Sequence, residues 1–242
     1  MRFDVLTLFP EMFSGISASM VKRAEERGIV EIHIHNFRDF STNKHKRVDD
    51  YPYGGGAGLI IGPQAILDCM RSIDGHEAAY KILFTPSGNL FTQKKAREIS
   101  EKKHVILLCG HYEGIDRRVS DYVDEEISIG DFVLTGGEIP AMAVIDSVTR
   151  LLPGALGNEE SPEFESFNEY LLEHPQYTRP EEYEGKRVPE VLLSGHHEKV
   201  RQYRRFKSLQ LTYLRRPDLL EKADLTDEDR KFLEMIKRGE EL

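Results

Sequence analysis

Apolar and polar residues change period several times along the chain. Arg2 to Phe9 is rich in branched and aromatic residues and is stopped by Pro10, which predicts a buried strand. Ser14 to Glu26 predicts a helix closed by Gly28, and Val30 to His35 alternates at period two, as a half-buried strand does. A polar loop with Tyr53-Gly54-Gly55-Gly56-Ala57-Gly58 precedes a helix from Pro63 to Ser72, a strand from Tyr80 to Thr85, a turn at Pro86-Ser87-Gly88 and a helix from Gln93 to Lys102. Val105 to Cys109 is an unbroken apolar run ending at Gly110, the pattern of a strand covered on both faces. Strands that alternate with helices predict an α/β fold with a mostly parallel sheet.

Glu125 to Ile129 and Phe132 to Leu134 read as extended pieces around a Gly130-Asp131 turn, before Thr135-Gly136-Gly137. From Ile139 to Leu152, Met142, Ile145, Val148 and Leu152 form one apolar helical stripe that Pro153-Gly154 ends. The glutamate-rich stretch that follows has no periodicity and reads as a linker. Helices from Glu198 to Leu214 and from Thr226 to Lys237, the second capped by Asp224 or Thr226, predict a small helical domain. The division is therefore a larger domain over 1–157, a linker over 158–170 and a helical domain over 171–242. There is no internal repeat.

Composition narrows the setting. The longest apolar runs fall far short of the roughly 20 residues a membrane-spanning helix needs, so no membrane partner is expected. The opening MRFDVLTLFPEMF carries acidic residues and a proline within its apolar run, which argues against a signal peptide. Cys69 and Cys109 form neither a disulfide framework nor a zinc motif and read as two buried thiols of a cytoplasmic protein. The net charge of -9 hides a segregation: Lys199, Arg201, Arg204, Arg205, Lys207, Arg215 and Arg216 lie in one window without an acidic residue, so it carries +7 and the remainder -9 - 7 = -16. Such a window is either a solvated helix face or a surface for phosphates.

Three glycine-bearing loops follow or interrupt strands: Thr85 to Gly88, Cys109 to Gly114, and Ser128 to Glu138. In parallel sheets ligands bind beyond the carboxyl ends of strands, where glycine lets backbone groups approach closely. Any one of these loops taken singly reads more readily as a connecting turn. None has the G-x-G-x-x-G or G-x-x-x-x-G-K-[ST] spacing of the common nucleotide loops. His196-His197 makes a poor metal site, because adjacent residues on a helix point apart, and no structural metal is assigned.

Taken in order, MRFDVLTLFPEMF, DDYPYGGGAGL, CGHYEGIDRRV, SIGDFVLTGGEIPAM, DSVTRLLPGALG, HPQYTRP and VLLSGHH closely resemble the tRNA (guanine-N1) methyltransferase family, over nearly the entire chain. The resemblance implies the SPOUT class: an α/β parallel sheet with a deep trefoil knot plus a small helical C-terminal domain, working as a homodimer with active sites at the subunit interface. It implies methyl transfer from S-adenosyl-L-methionine to N1 of the guanine at position 37 of tRNA, 3′ of the anticodon. It also offers a catalytic Mg2+, which the sequence neither proves nor excludes.

By motif, the resemblance places Leu83, Phe84, Thr85, Pro86, Gly110, Glu113, Ile129, Gly130, Asp131, Phe132, Val133 and Leu134 around the methyl donor, with Gly136, Gly137 and Ala141 close by. Glu113 suits the sulfonium charge, or else caps a local turn. Guanine N1 bears a proton and needs a base, and the charge thrown onto the carbonyl oxygen needs a cation. Arg150 matches the family's arginine. At the base position the chain has Glu165 before Ser166-Phe167, where the family pattern has aspartate. Glu163 is the substitute candidate, and an inert acidic linker is the alternative. Arg179, Arg201, Arg204, Arg205, Arg215 and Arg216 fall where the family grips tRNA, and Asp49, Asp50 and Tyr53 near the target guanine. The competing readings are a SPOUT methyltransferase acting on another RNA base and a non-catalytic RNA-binding protein.

Overall fold

The computed structural model describes residues 1–16, 18–156 and 165–242. Most of the predicted linker, Glu163 included, lies outside them. Two compact units divide the chain, Met1–Glu159 and Glu160–Leu242.

In chain order the first unit comprises β1 (Arg2–Thr7), α1 (Ser19–Glu26), β2 (Glu31–Asn36), β3 (Asp49–Asp50), β4 (Ile60–Ile61), α2 (Pro63–Arg71), β5 (Tyr80–Leu90), α3 (Gln93–Ser100), β6 (His104–Leu108), β7 (Glu125–Ser128) and α4 (Glu138–Thr149). Five of the strands form one sheet in the order β2-β1-β6-β5-β7, and every pairing is parallel. The unbroken run Val105 to Leu108 is its middle strand, at most 1% exposed because helices cover both faces. Burying each such side chain contributes about 1.5–3 kcal/mol. Phe3, Val5, Val105 and Leu107 pack with α1, α3 and α4 on one face; Leu6, Ile106 and Leu108 pack with α2 on the other.

The second unit comprises β8 (Glu182–Tyr183), β9 (Lys186–Arg187), α5 (Glu190–Leu193), α6 (His197–Arg215), α7 (Pro217–Leu220) and α8 (Asp227–Lys237). It has its own core of Leu171, Phe206, Leu209, Phe232, Leu233 and Ile236, in which the rings of Phe206 and Phe232 meet edge to face at 5.6 Å. Of the two predicted caps, Thr226 starts α8: its side chain accepts from the Asp229 amide while the Asp229 carboxylate accepts from the Thr226 amide.

Several elements differ from the pattern. The first predicted helix is split, because Pro10–Gly15 forms a 3-10 turn that buries Phe13 and α1 begins only at Ser19. Phe132 to Leu134 is not a strand but irregular chain with exposed Phe132 and Val133. The strand predicted to stop at Thr85 resumes beyond its turn and runs to Leu90. In α4 the buried positions are Glu138, Pro140, Ala141, Val144, Ile145, Val148 and Thr149, a broader face than the predicted stripe, with Met142 only partly buried. The β3–β4 and β8–β9 hairpins and the short α5 and α7 carry too few residues to show a period.

Candidate functional site

The carboxyl ends of β5, β6 and β7 lie side by side because these strands are sheet neighbours. In β5 both Phe84 and Asn89 pair with Ile127, so Thr85 to Gly88 are expelled from the ladder as a bulge. Gly88 is required there, since a Cβ on it would lie 2.5 Å from the Ile127 nitrogen. The loop after β7 folds back onto the loop after β6: the Gly137 amide donates to the Gly110 carbonyl at 2.8 Å. A Cβ on Gly137 would stand 2.7 Å from the Cys109 Cα.

Between these loops lies a cavity of about 450 Å³. Leu83, Phe84, Thr85, Pro86, Gly110, Glu113, Ile129, Gly130, Phe132, Val133, Leu134, Gly136 and Gly137 all line it. Asp131 and Ala141 do not: Asp131 faces solvent, and Ala141 is buried in the core against α4's neighbours. The sequence reading missed His111, Tyr112, Arg117, Ser120 and Glu126, which also line the cavity. His111, Tyr112 and Arg117 sit inside the CGHYEGIDRRV string and were legible from it. Arg117 and Glu126 become neighbours only through the fold, joined by an ion pair at 2.5 Å.

The glycine-rich hairpin loop belongs to this site. The Glu113 amide donates to the Leu59 carbonyl, and Ile61 bonds in both directions with the chain at Gly114 and Asp116. The Glu113 carboxyl group rests over Gly58, where a Cβ would come within 2.5 Å of its Oε1. Hooked on in this way, the hairpin carries Asp50 and Tyr53 beside the cavity loops, and Tyr53 is fully exposed. Beneath the cavity floor the buried Thr7 hydroxyl donates to Glu138 at 2.7 Å. Burial, followed by the nearby Glu138, pushes the Cys109 thiol well above its ordinary pKa, so it is no nucleophile.

In the second unit, the basic window is sorted by its partners. Arg201 pairs with Glu198 and Glu228, Arg205 with Asp229 and Glu169, Lys207 with Glu241, and Arg216 with Asp218. Among the described residues no ion pair engages Lys199, Arg204, Arg215 or, outside the window, Arg179. Arg179 and Arg204 line a second cavity of about 490 Å³ together with His174, Tyr177, Leu192 and Leu193.

A family model described as tRNA (Guanine-1)-methyltransferase TrmD matches residues 1–222. The chain belongs to the tRNA (guanine-1)-methyltransferase family. Members named tRNA (guanine-N(1)-)-methyltransferase include one from Dictyoglomus turgidum, 53% identical with 98% of this chain and 97% of the relative covered. One from Caldanaerobacter subterraneus is 56% identical, with 96% and 97% covered. One from Halalkalibacterium halodurans is 52% identical, with both chains covered in full.

As a member of this methyltransferase family the chain has two further positions to place. Arg150 is the residue that ends α4, its amide bonded to the Asp146 carbonyl at 3.2 Å. Glu165 is half-buried, and its carbonyl accepts from the Asn168 amide at 3.2 Å. No helix among the described residues is long and apolar enough to cross a membrane.

Proposed function

We propose that this chain is a cytoplasmic tRNA (guanine-N1)-methyltransferase that moves a methyl group from S-adenosylmethionine to N1 of the guanine 3′ of the anticodon. The observation that carries the reading is the end-to-end likeness to methyltransferases of this name. The cavity at the strand ends supports it.

The chemistry of the cavity fits the methyl donor. Leu83, Phe84, Ile129, Phe132 and Leu134 give apolar walls suited to an adenine ring, and the Gly136-Gly137 backbone is bare enough for close polar contacts. The Glu113 carboxylate suits a neighbouring positive charge. When bound, S-adenosylmethionine supplies an electrophilic methyl group on a sulfonium centre. Glu165 takes the proton from guanine N1, and Arg150 opposes the negative charge that this places on the guanine carbonyl oxygen. Asp50 and Tyr53 frame the base.

Phe132 and Val133 line the cavity while 55% and 86% exposed. A second copy of the chain covers this apolar rim and completes the site, giving a homodimer. The tight passage of Gly136-Gly137 against Cys109-Gly110 supports a trefoil-knotted fold of the SPOUT class. Residues 1–157 thus serve the methyl donor, 158–170 link the domains and 171–242 hold tRNA. Among the described residues no cluster of three or more histidine, cysteine, aspartate or glutamate side chains is arranged to hold a metal ion.

Incubating the protein with unmodified tRNA and S-adenosylmethionine, then measuring nucleosides by mass spectrometry, tests the reading. 1-Methylguanosine is the expected product. A different methylated base would establish another RNA methyltransferase, and tRNA binding without any methylated product would establish a binding protein.

A further inference from the structure

The segment that carries Glu165 follows an uncommon path. Phe167, Glu169 and Tyr170 have φ of 71°, 50° and 59°, a left-handed region that residues with a Cβ enter only where their surroundings over-determine the backbone. The restraints are identifiable. Ser166 Oγ accepts from the Glu173 amide at 2.9 Å, and the Phe167 amide donates to the Leu171 carbonyl at 2.7 Å. Leu171 belongs to the core of the second unit, and the Arg216 guanidinium lies 5.9 Å from the Phe167 ring centre.

A further restraint is ionic. Arg205, on α6, forks onto Asp229 through Nε at 2.7 Å and Nη2 at 2.8 Å, and its remaining Nη1 donates to the Glu169 carboxylate at 3.0 Å. Asp229 is buried and caps α8, so the guanidinium is itself fixed. The planar fork suits this double duty, in which one edge holds the helix pair and the remaining Nη1 reaches the turn.

We propose that Arg205 and Glu169 are positioning residues for methyl transfer: their ion pair locks the left-handed turn at 167–170 onto α6 and holds the Glu165 carboxylate on the C-terminal unit in the orientation that accepts the guanine proton. The inference rests on the reading of Glu165 as the base. It removes Arg205 from the phosphate-binding set, although Arg205 lies in the middle of the basic window. A displacement of about 1 Å in a reacting group costs as much as 100-fold in rate, so a base two residues ahead of a strained turn needs such an anchor.

Glu169 gives the clean test, because its side chain is 67% exposed and its replacement spares the Arg205–Asp229 pair. In the full-length protein, Glu169→Gln is expected to lower single-turnover methyl transfer about 10-fold at saturating tRNA, with tRNA affinity and melting temperature unchanged. Amide exchange at Asn168 and Leu171 rises, and Glu169→Asp restores much of the rate. Since the effect passes through Glu165, adding Glu169→Gln to Glu165→Gln produces no further loss. A parental rate in Glu169→Gln, a loss that adds fully in the double variant, or a fall in tRNA affinity at constant rate would each overturn the proposal. A parental rate in Glu165→Gln instead removes the base assignment beneath it, so the two failures are distinguishable.

Discussion

At residue scale, a carboxylate without water needs donors, and Asp4 has three. It is 0% exposed on β1, with Arg2 Nε at 2.7 Å, His35 Nε2 at 2.6 Å and His104 Nε2 at 2.7 Å. Burial pushes its pKa up, but the hydrogen bonds from His35, Arg2 and His104 outweigh this and hold it below the ordinary carboxylate range. A depressed folded-state pKa contributes stability above the unfolded value of about 3.9, and that stability is lost as pH falls toward the folded value. Asp4→Asn leaves the Arg2 guanidinium and the two imidazoles facing a neutral amide and is expected to cost about 3–5 kcal/mol at neutral pH. Urea midpoints measured from neutral to acid pH check this: the variant should be weaker at pH 7 and its stability less dependent on pH below about 4. Equal slopes for both proteins would remove Asp4 from the acid transition. Glu165 calls for a different readout. Glu165→Gln is expected to keep methyl-donor affinity while slowing single-turnover transfer about 100-fold or more, the scale of a lost general base. Glu165→Asp, which restores the family pattern, should remain active.

At the scale of elements, the cavity at the strand ends depends on one loop pressing against another. Gly137→Ala places a methyl group 2.7 Å from the Cys109 Cα, a backbone atom that cannot swing aside. The expected cost is about 1–3 kcal/mol of stability, with S-adenosylmethionine affinity at least 10-fold weaker by calorimetry. Gly15→Ala, which meets nothing within 4 Å, serves as the control and should match the parent. This contact also marks the limit of what the sequence discloses. Val105 to Leu108 announces a doubly covered strand because burial on both faces demands an apolar residue at every position, and the glycines announce loops because φ and close approach demand them. Which loops touch is a non-local fact. The Thr85–Gly88 bulge arises from pairing with Ile127, and the Glu113–Gly58 contact from the hooking of a hairpin too short to have a period. The resemblance supplied the cavity residues by motif, yet a motif could not tell that Asp131 points to solvent or that Arg117 meets Glu126 across the rim.

Over the whole molecule the decisive quantity is how charge is distributed, since a net charge of -9 opposes binding of any polyanion. The +7 window was read from the sequence as a unit, but the fold commits Arg201, Arg205, Lys207 and Arg216 to carboxylates of the same unit. Each of these must break an ion pair before it serves a phosphate. Arg204 and Arg179 need not: they are exposed, share the second cavity, and have no ion pair among the described residues. Electrostatic affinity for tRNA is therefore expected to depend on these two more than on the paired arginines. Screening limits each charge's reach to roughly 8–10 Å at ordinary salt, so distant carboxylates weigh little against them, and Glu181, which shares their cavity, is itself paired with Arg187. Neutralising one phosphate contact reduces the slope of log affinity against log salt by about 1. Arg204→Gln and Arg179→Gln should each produce such a reduction, with methyl-donor affinity unchanged. Arg201→Gln should leave the slope near the parent's. Filter-binding or fluorescence titrations across a salt series decide the matter, and a slope that falls equally for Arg201 and Arg204 would show that tRNA rearranges the ion pairs on α6 rather than selecting the cations already open to it.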